Sequence, residues 1–134
     1  MREIIRYTTD VIPDANAVIE LYANAGLKRP VDDKVRIEKM FANSNLIVTA
    51  WHNEILVGVS RAMTDYSYWC YLADLAVHPM YQRKGIGRNL IEQTKIKAGK
   101  DCMLVLLSAP SALSYYSKIG LRNLNNGFAI DRET

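Results

Sequence analysis

The chain has 134 residues, 49% of them hydrophobic and 23% charged, with a net charge of +3. That length is enough to bury one core but not two, and the composition is that of a soluble globular domain, so one domain over residues 1–134 is expected. The 17 basic and 14 acidic residues form no basic stripe, which argues against nucleic acid as a partner, and no run reaches the roughly 18 apolar residues that span a bilayer.

The N-terminus, Met1-Arg2-Glu3-Ile4, lacks the apolar stretch of a secretory signal. A cytoplasmic protein is expected, with Cys70 and Cys102 reduced rather than joined. Ile4 and Tyr7 suggest a first short strand. Pro13 suits a first helical turn, Val18, Leu21, Tyr22 and Ala25 follow at helical spacing, and Gly26 is a natural stop. A second helix reads from Asp32 through Val35, Ile37, Met40 and Phe41, ending at Asn43-Ser44-Asn45.

The middle of the chain is β-rich. Leu46 to Trp51 and Ile55 to Ser60, separated by His52-Asn53-Glu54, read as a hairpin, and Tyr68 to Val77 reads as a third strand after a polar turn at residues 64–67. Beyond Pro79, Ile86, Leu90, Ile91 and Thr94 recur at helical spacing, closed by Gly99. Met103 to Leu107 is a continuous apolar run that suits a strand covered on both faces. Pro110 opens a short helix carrying Leu113, Tyr116 and Ile119, and Phe128-Ala129-Ile130 suggests a last strand. The strand–helix–strand unit from Tyr68 to Leu107 predicts that those two strands run parallel.

One segment carries chemistry. After the strand end at Leu75-Ala76-Val77, the sequence Gln82-Arg83-Lys84-Gly85-Ile86-Gly87-Arg88 places two glycines at the opening of a helix. Glycine lets backbone N–H groups converge, and the helix terminus adds unpaired donors and a positive dipole. Arg83, Lys84 and Arg88 add charge, so a phosphate or pyrophosphate site is expected. A dinucleotide fingerprint is excluded because Leu90 stands where its third small residue belongs. Taken alone, the two glycines more often mark just a tight strand-to-helix turn with the basic residues as a solvated face.

Gln82-Arg83-Lys84-Gly85-Ile86-Gly87 resembles the Gln/Arg-x-x-Gly-x-Gly/Ala motif of the GNAT superfamily of N-acetyltransferases. Tyr115-Tyr116-Ser117-Lys118-Ile119-Gly120-Leu121 is similar to that family's Phe-Tyr-x-Lys-x-Gly-Phe signature. The two motifs stand in the family's order with one strand run between them. The resemblance is sharp over about residues 69–121. It implies a mixed α/β (α+β) fold: a central, mostly antiparallel sheet with one parallel, splayed strand pair and flanking helices.

The resemblance further implies acetyl-CoA as donor and a primary amine of a small molecule as acceptor, with direct transfer and no metal. A protein lysine or N-terminal amine, or a CoA-binding sensor without catalysis, are the alternatives. Residues Gln82 to Arg88 would hold the pyrophosphate, and Leu75, Ala76 and Val77 would pair with the pantetheine arm. Tyr116 takes the general-acid position, with Tyr115 as packing. Ala109 stands where the family often has Asn, so that residue's hydrogen bond to pantetheine is not carried over. A homodimer is left open, since family members often form one.

Asp74 is the preferred base: a carboxylate in an apolar strand, sharing a face with Cys70, Leu72 and Ala76 by alternation. A structural ion pair with Arg61 is the equal alternative. Asp65 and Tyr66 could read the acceptor or simply form a turn. Tyr22 and Glu20, on the first helix, border the amine site by family analogy. His78 and His52 are weaker candidates, and no His/Cys/Asp cluster has ligand spacing.

Overall fold

The structure is a computed structural model, and it describes residues 4–134. The reading of the N-terminus as lacking a signal rests partly on Met1 to Glu3, which lie outside the described residues. The elements are β1 (Ile5–Thr8), α1 (Ala15–Ala25), α2 (Lys34–Ala42), β2 (Leu46–His52), β3 (Ile55–Thr64), β4 (Trp69–Val77), α3 (Ile86–Ala98), β5 (Met103–Val105) and α4 (Leu113–Lys118). They form a five-stranded sheet in the order β1-β2-β3-β4-β5. Neighbours are antiparallel except β4 and β5, which are parallel. This is the mixed architecture expected.

Helices cover both faces of the sheet. Val18, Leu21 and Tyr22 of α1 and Ile37 and Phe41 of α2 pack on Ile47, Leu56, Val59 and Ala76. On the opposite face, Ile86 and Leu90 of α3 pack on Val48, Ala50 and Val57. The adjoining residues Ile47 and Val48 thus go to different layers, as strand alternation requires. Gly58 makes the close seating of α3 feasible: a Cβ there would lie 3.0 Å from Leu90 Cδ1 and 3.2 Å from Ile86 Cγ2. No helix among the described residues is long and apolar enough to cross a membrane.

The helix ends follow their sequence signals. Gly26 closes α1 in the left-handed conformation, φ 71°. The Asp33 side chain accepts from Arg36 N, 3.1 Å, and so caps α2; the helix therefore begins slightly later than Asp32.

Three expectations are corrected. Phe128-Ala129-Ile130 forms no strand: residues 121–134 carry no regular secondary structure, and Phe128 and Ile130 are fully exposed. Strand β5 stops at Val105, because only Trp69↔Met103, Cys70↔Leu104 and Tyr71↔Val105 pair with β4. It is a sheet edge, with Met103 exposed rather than covered.

The third correction concerns the alternation along β4. Arg61 pairs with Asp74 while Ala62 pairs with Leu72, which leaves Ala73 as an extra, bulged residue. Cys70 clusters with Ala98 of α3, whereas Ala76 clusters with the α1 and α2 residues. The bulge therefore flips the strand's phase, and Asp74 shares the face of Ala76 but not that of Cys70.

Candidate active site

The site is built where the parallel strands part. Their pairing ends at Tyr71 and Val105, but β4 continues to Val77. A length of β4 that pairs with β3 but no longer with β5 thus leads straight to the loop before α3. In that loop His78 N–H donates to Val57 O at 2.8 Å, and the His78 ring accepts from Met80 N at 3.1 Å. Residues Pro79–Tyr81 make a short 3-10 turn. The Gln82 side chain then folds back to donate to Val77 O at 3.0 Å, tying the loop to the strand end.

Two residues turn the chain into α3 with positive φ, Arg83 at 64° and Gly85 at 82°. The first helical bond runs from Asn89 N–H to Gly85 O, 3.0 Å. The N–H groups of the opening turn have no partner within the helix and form the positive end of its dipole. Ile86 is buried under the sheet and anchors this turn, while Gln82, Arg83, Lys84, Gly85 and Arg88 are exposed. Arg88 pairs along the helix with Glu92, 3.2 Å, and the Lys84 ammonium lies 5.7 Å from the Tyr81 ring centroid. Converging backbone donors, an uncrowded glycine turn and flanking cations suit an anionic diphosphate arm.

Tyr116 of α4 is half-buried, and burial, with a smaller contribution from Tyr115, raises its phenol pKa. The phenol is therefore protonated at neutral pH, as a proton donor must be. The Tyr115 ring stands against it at 5.3 Å and 73°. The Tyr115 hydroxyl reaches α3: it lies 2.7 Å from the point where a Cβ on Gly87 would sit.

Asp74 is 1% exposed and fully engaged. Its Oδ1 accepts from Arg29 Nε at 2.6 Å, and its Oδ2 accepts from Arg61 Nε at 2.6 Å and from the Tyr22 hydroxyl at 2.9 Å. Burial would raise its pKa, but the two guanidinium groups prevail and hold it below the ordinary carboxylate value. A carboxylate so held is a weak base, and the geometry is that of the ion-pair alternative. Arg29, in the loop after α1, also donates to the bulge carbonyl of Ala73, 2.8 Å. Sequence reasoning named Arg61 as a partner and missed Arg29. The signal available was the demand of a buried carboxylate for compensating charge.

Tyr22 has no exposed surface, and burial, together with Asp74, raises its pKa well above the usual phenol value. The expectation that Tyr22 lines an acceptor pocket is corrected: it braces Asp74. Asp65 Oδ1 accepts the N–H groups of Ser67, Tyr68 and Trp69 at 2.9, 2.8 and 3.0 Å, which lowers its pKa. Tyr66 has φ 58°, and its hydroxyl donates to Asn45 O at 3.1 Å. Both residues build the turn between β3 and β4.

Known proteins bear on this arrangement. A family described as acetyltransferase (GNAT) domain matches residues 19–131. The uncharacterized N-acetyltransferase ycf52 of Pyropia yezoensis is 29% identical over 124 residues, 83% of this chain and 70% of that protein. The chain spans about half, 53%, of the ycf52 protein of Gracilaria tenuistipitata var. liui. A protein of unknown function from meticillin-resistant Staphylococcus aureus, SA2161, described as a probable acetyltransferase, shares the fold. It matches with TM-score 0.79 and 23% identity, over 96% of this chain and 100% of its own. The PaiA N-acetyltransferase of Thermoplasma acidophilum, in complex with coenzyme A, matches with TM-score 0.68 and 19% identity, over 89% and 90%. The glycine turn at the end of β4, past the point where that strand parts from β5, with the family match over most of the chain, leads to one conclusion: this chain belongs to the GNAT acetyltransferase family.

Proposed function

We propose that the chain is an N-acetyltransferase that moves an acetyl group from acetyl-CoA directly to a primary amine of a small molecule. The observation that carries this reading is the run of β4 beyond Tyr71, parted from β5 on that side, which ends at the glycine-opened helix α3, with Tyr116 on the helix that follows β5. The main chain of Leu75, Ala76 and Val77 would hold the pantetheine arm, and the turn from Gln82 to Arg88 the diphosphate. Acetyl-CoA supplies the thioester acyl group.

In the transfer, the amine nitrogen bonds to the acyl carbon, the carbon–sulfur bond breaks, and the nitrogen releases a proton. Backbone N–H groups on the side of β4 that has parted from β5 suit the developing oxyanion. Tyr116 donates its phenolic proton to the departing sulfur. Asp74 acts as a positioning residue, holding the bulge that opens the strand.

A thiol-release assay with acetyl-CoA and a panel of small amines tests this. Thiol release that depends on an amine supports the reading, and Tyr116→Phe should lower kcat by about a hundredfold or more while CoA affinity is kept. Turnover insensitive to that change overturns the acid role. Binding without turnover across the panel favours a CoA sensor instead.

A further inference from the structure

Tyr115 and Tyr116 are neighbours on α4, with ring centroids 5.3 Å apart and planes at 73°. The Tyr115 hydroxyl bears on the opening turn of α3. A Cβ on Gly87 would come within 2.7 Å of that oxygen and 3.7 Å of Val77 Cγ2. The phenol tip therefore reaches the corner formed by the end of β4 and the start of α3, where Gly87 alone, having no side chain, leaves room for it.

No described residue uses this hydroxyl. It forms no hydrogen bond to any described residue, and the residue is 38% exposed. The hydroxyl lies against Gly87, a polar donor at the opening of α3 with no acceptor among the described residues. Burial raises its pKa and the nearby Arg88 opposes that, so the group stays a neutral O–H donor at neutral pH. Arg83, Lys84 and Arg88 of the same turn are exposed cations. A fixed neutral donor among them adds a directed hydrogen bond to an anion without like-charge repulsion. The pattern that this block resembles has Phe at this place, which has no donor to offer.

We propose that Tyr115 is a binding residue for the acyl donor, its hydroxyl donating to the diphosphate held at the start of α3. This rests on the acyl-CoA reading given above and adds a recognition contact at that site. In the liganded protein the O–H exchanges its resting place against Gly87 for an oxygen of the diphosphate.

The test compares CoA with pantetheine, which has the same thiol arm and no diphosphate, using ligand-observed NMR titration of the wild type and Tyr115→Phe. The phenylalanine keeps the ring, and an unchanged melting temperature checks the fold. A hydrogen bond to a charged group corresponds to roughly tenfold or more in affinity. CoA should therefore bind Tyr115→Phe about tenfold more weakly, with pantetheine affinity unchanged. Equal losses for both probes would mean a packing role and overturn the proposal. Unchanged or tighter CoA binding would mean the hydroxyl merely obstructs the groove, and overturns it too. If the wild type binds no CoA, the acyl-donor reading itself fails, an outcome separate from a wild type that binds and a variant that binds equally well.

Discussion

Arg29 and Asp74, 45 positions apart in the sequence, meet at 2.6 Å, and the same guanidinium donates to the carbonyl of Ala73 beside it. One side chain thus holds both the extra residue of the β4 bulge and the residue after it. Arg61 holds the other oxygen of Asp74 from β3, directly across the strand pair.

Replacing Arg29 by Ala leaves the bulge carbonyl and one carboxylate oxygen short of donors. Arg29 is partly solvated, its side chain 29% exposed, so the cost falls below that of a fully buried pair, at about 1–3 kcal/mol. Urea denaturation would measure it. Arg29→Lys should recover only part of the loss, since one ammonium lacks the planar fork that serves two acceptors together. Full recovery with lysine would mean that charge alone matters there.

Asp74→Asn removes the counter-charge from two guanidinium groups at once, and should cost about 3 kcal/mol at neutral pH. The carboxyl pKa is lowered in the folded state, so its stabilisation is fully present above the ordinary carboxylate pKa of about 3.9. It is lost as pH falls below that value and through the folded pKa. The wild type should lose stability over that acid range more steeply than Asp74→Asn. Parallel acid-denaturation curves for the two proteins would show that the ion pairs contribute nothing.

Gly58→Ala should disturb the site from beneath. The added methyl meets Leu90 Cδ1 at 3.0 Å, Ile86 Cγ2 at 3.2 Å and Ala50 Cβ at 3.3 Å, lifting the first turn of α3 from the sheet. Overpacking of this kind costs about 1–3 kcal/mol. CoA affinity should fall with stability, because Ile86 belongs to the turn that would bind the diphosphate. A variant equally stable but weaker in CoA binding would show that the helix shifted without strain.

The raised pKa of Tyr116 sets the direction of the pH–rate profile. Burial moves loss of the phenolic proton to higher pH than for a free phenol, so Tyr116 contributes no descending limb near neutral pH. A descending limb near pH 8 that disappears in Tyr116→Phe would contradict this.

The glycine loop was legible because its requirement is local: a positive φ at Gly85 favours glycine wherever the rest of the chain goes. The end of α1 at Gly26 was readable for the same reason. The phase of β4 was not. A bulge adds one residue opposite one, and Leu72-Ala73-Asp74 has no glycine or proline to mark it, so alternation read straight through put Asp74 on the wrong face. Phe128-Ala129-Ile130 has a strand's alternation, but a strand also needs an edge to pair with, and that is a property of distant residues. Arg29 was missed on similar grounds, since its partners lie 44 and 45 positions away.

The bulge has a further consequence for how the strand could be rebuilt. Leu72 faces Ala62 and Asp74 faces Arg61, so excising Ala73 would make them sequential neighbours on a regular ladder. Every flanking side chain would keep its present layer, and both cores would keep their packing. What would vanish is the kink itself, together with the carbonyl that Arg29 holds. A single-residue deletion could thus straighten the strand while sparing the fold, separating the curvature of the backbone from the stability of the molecule.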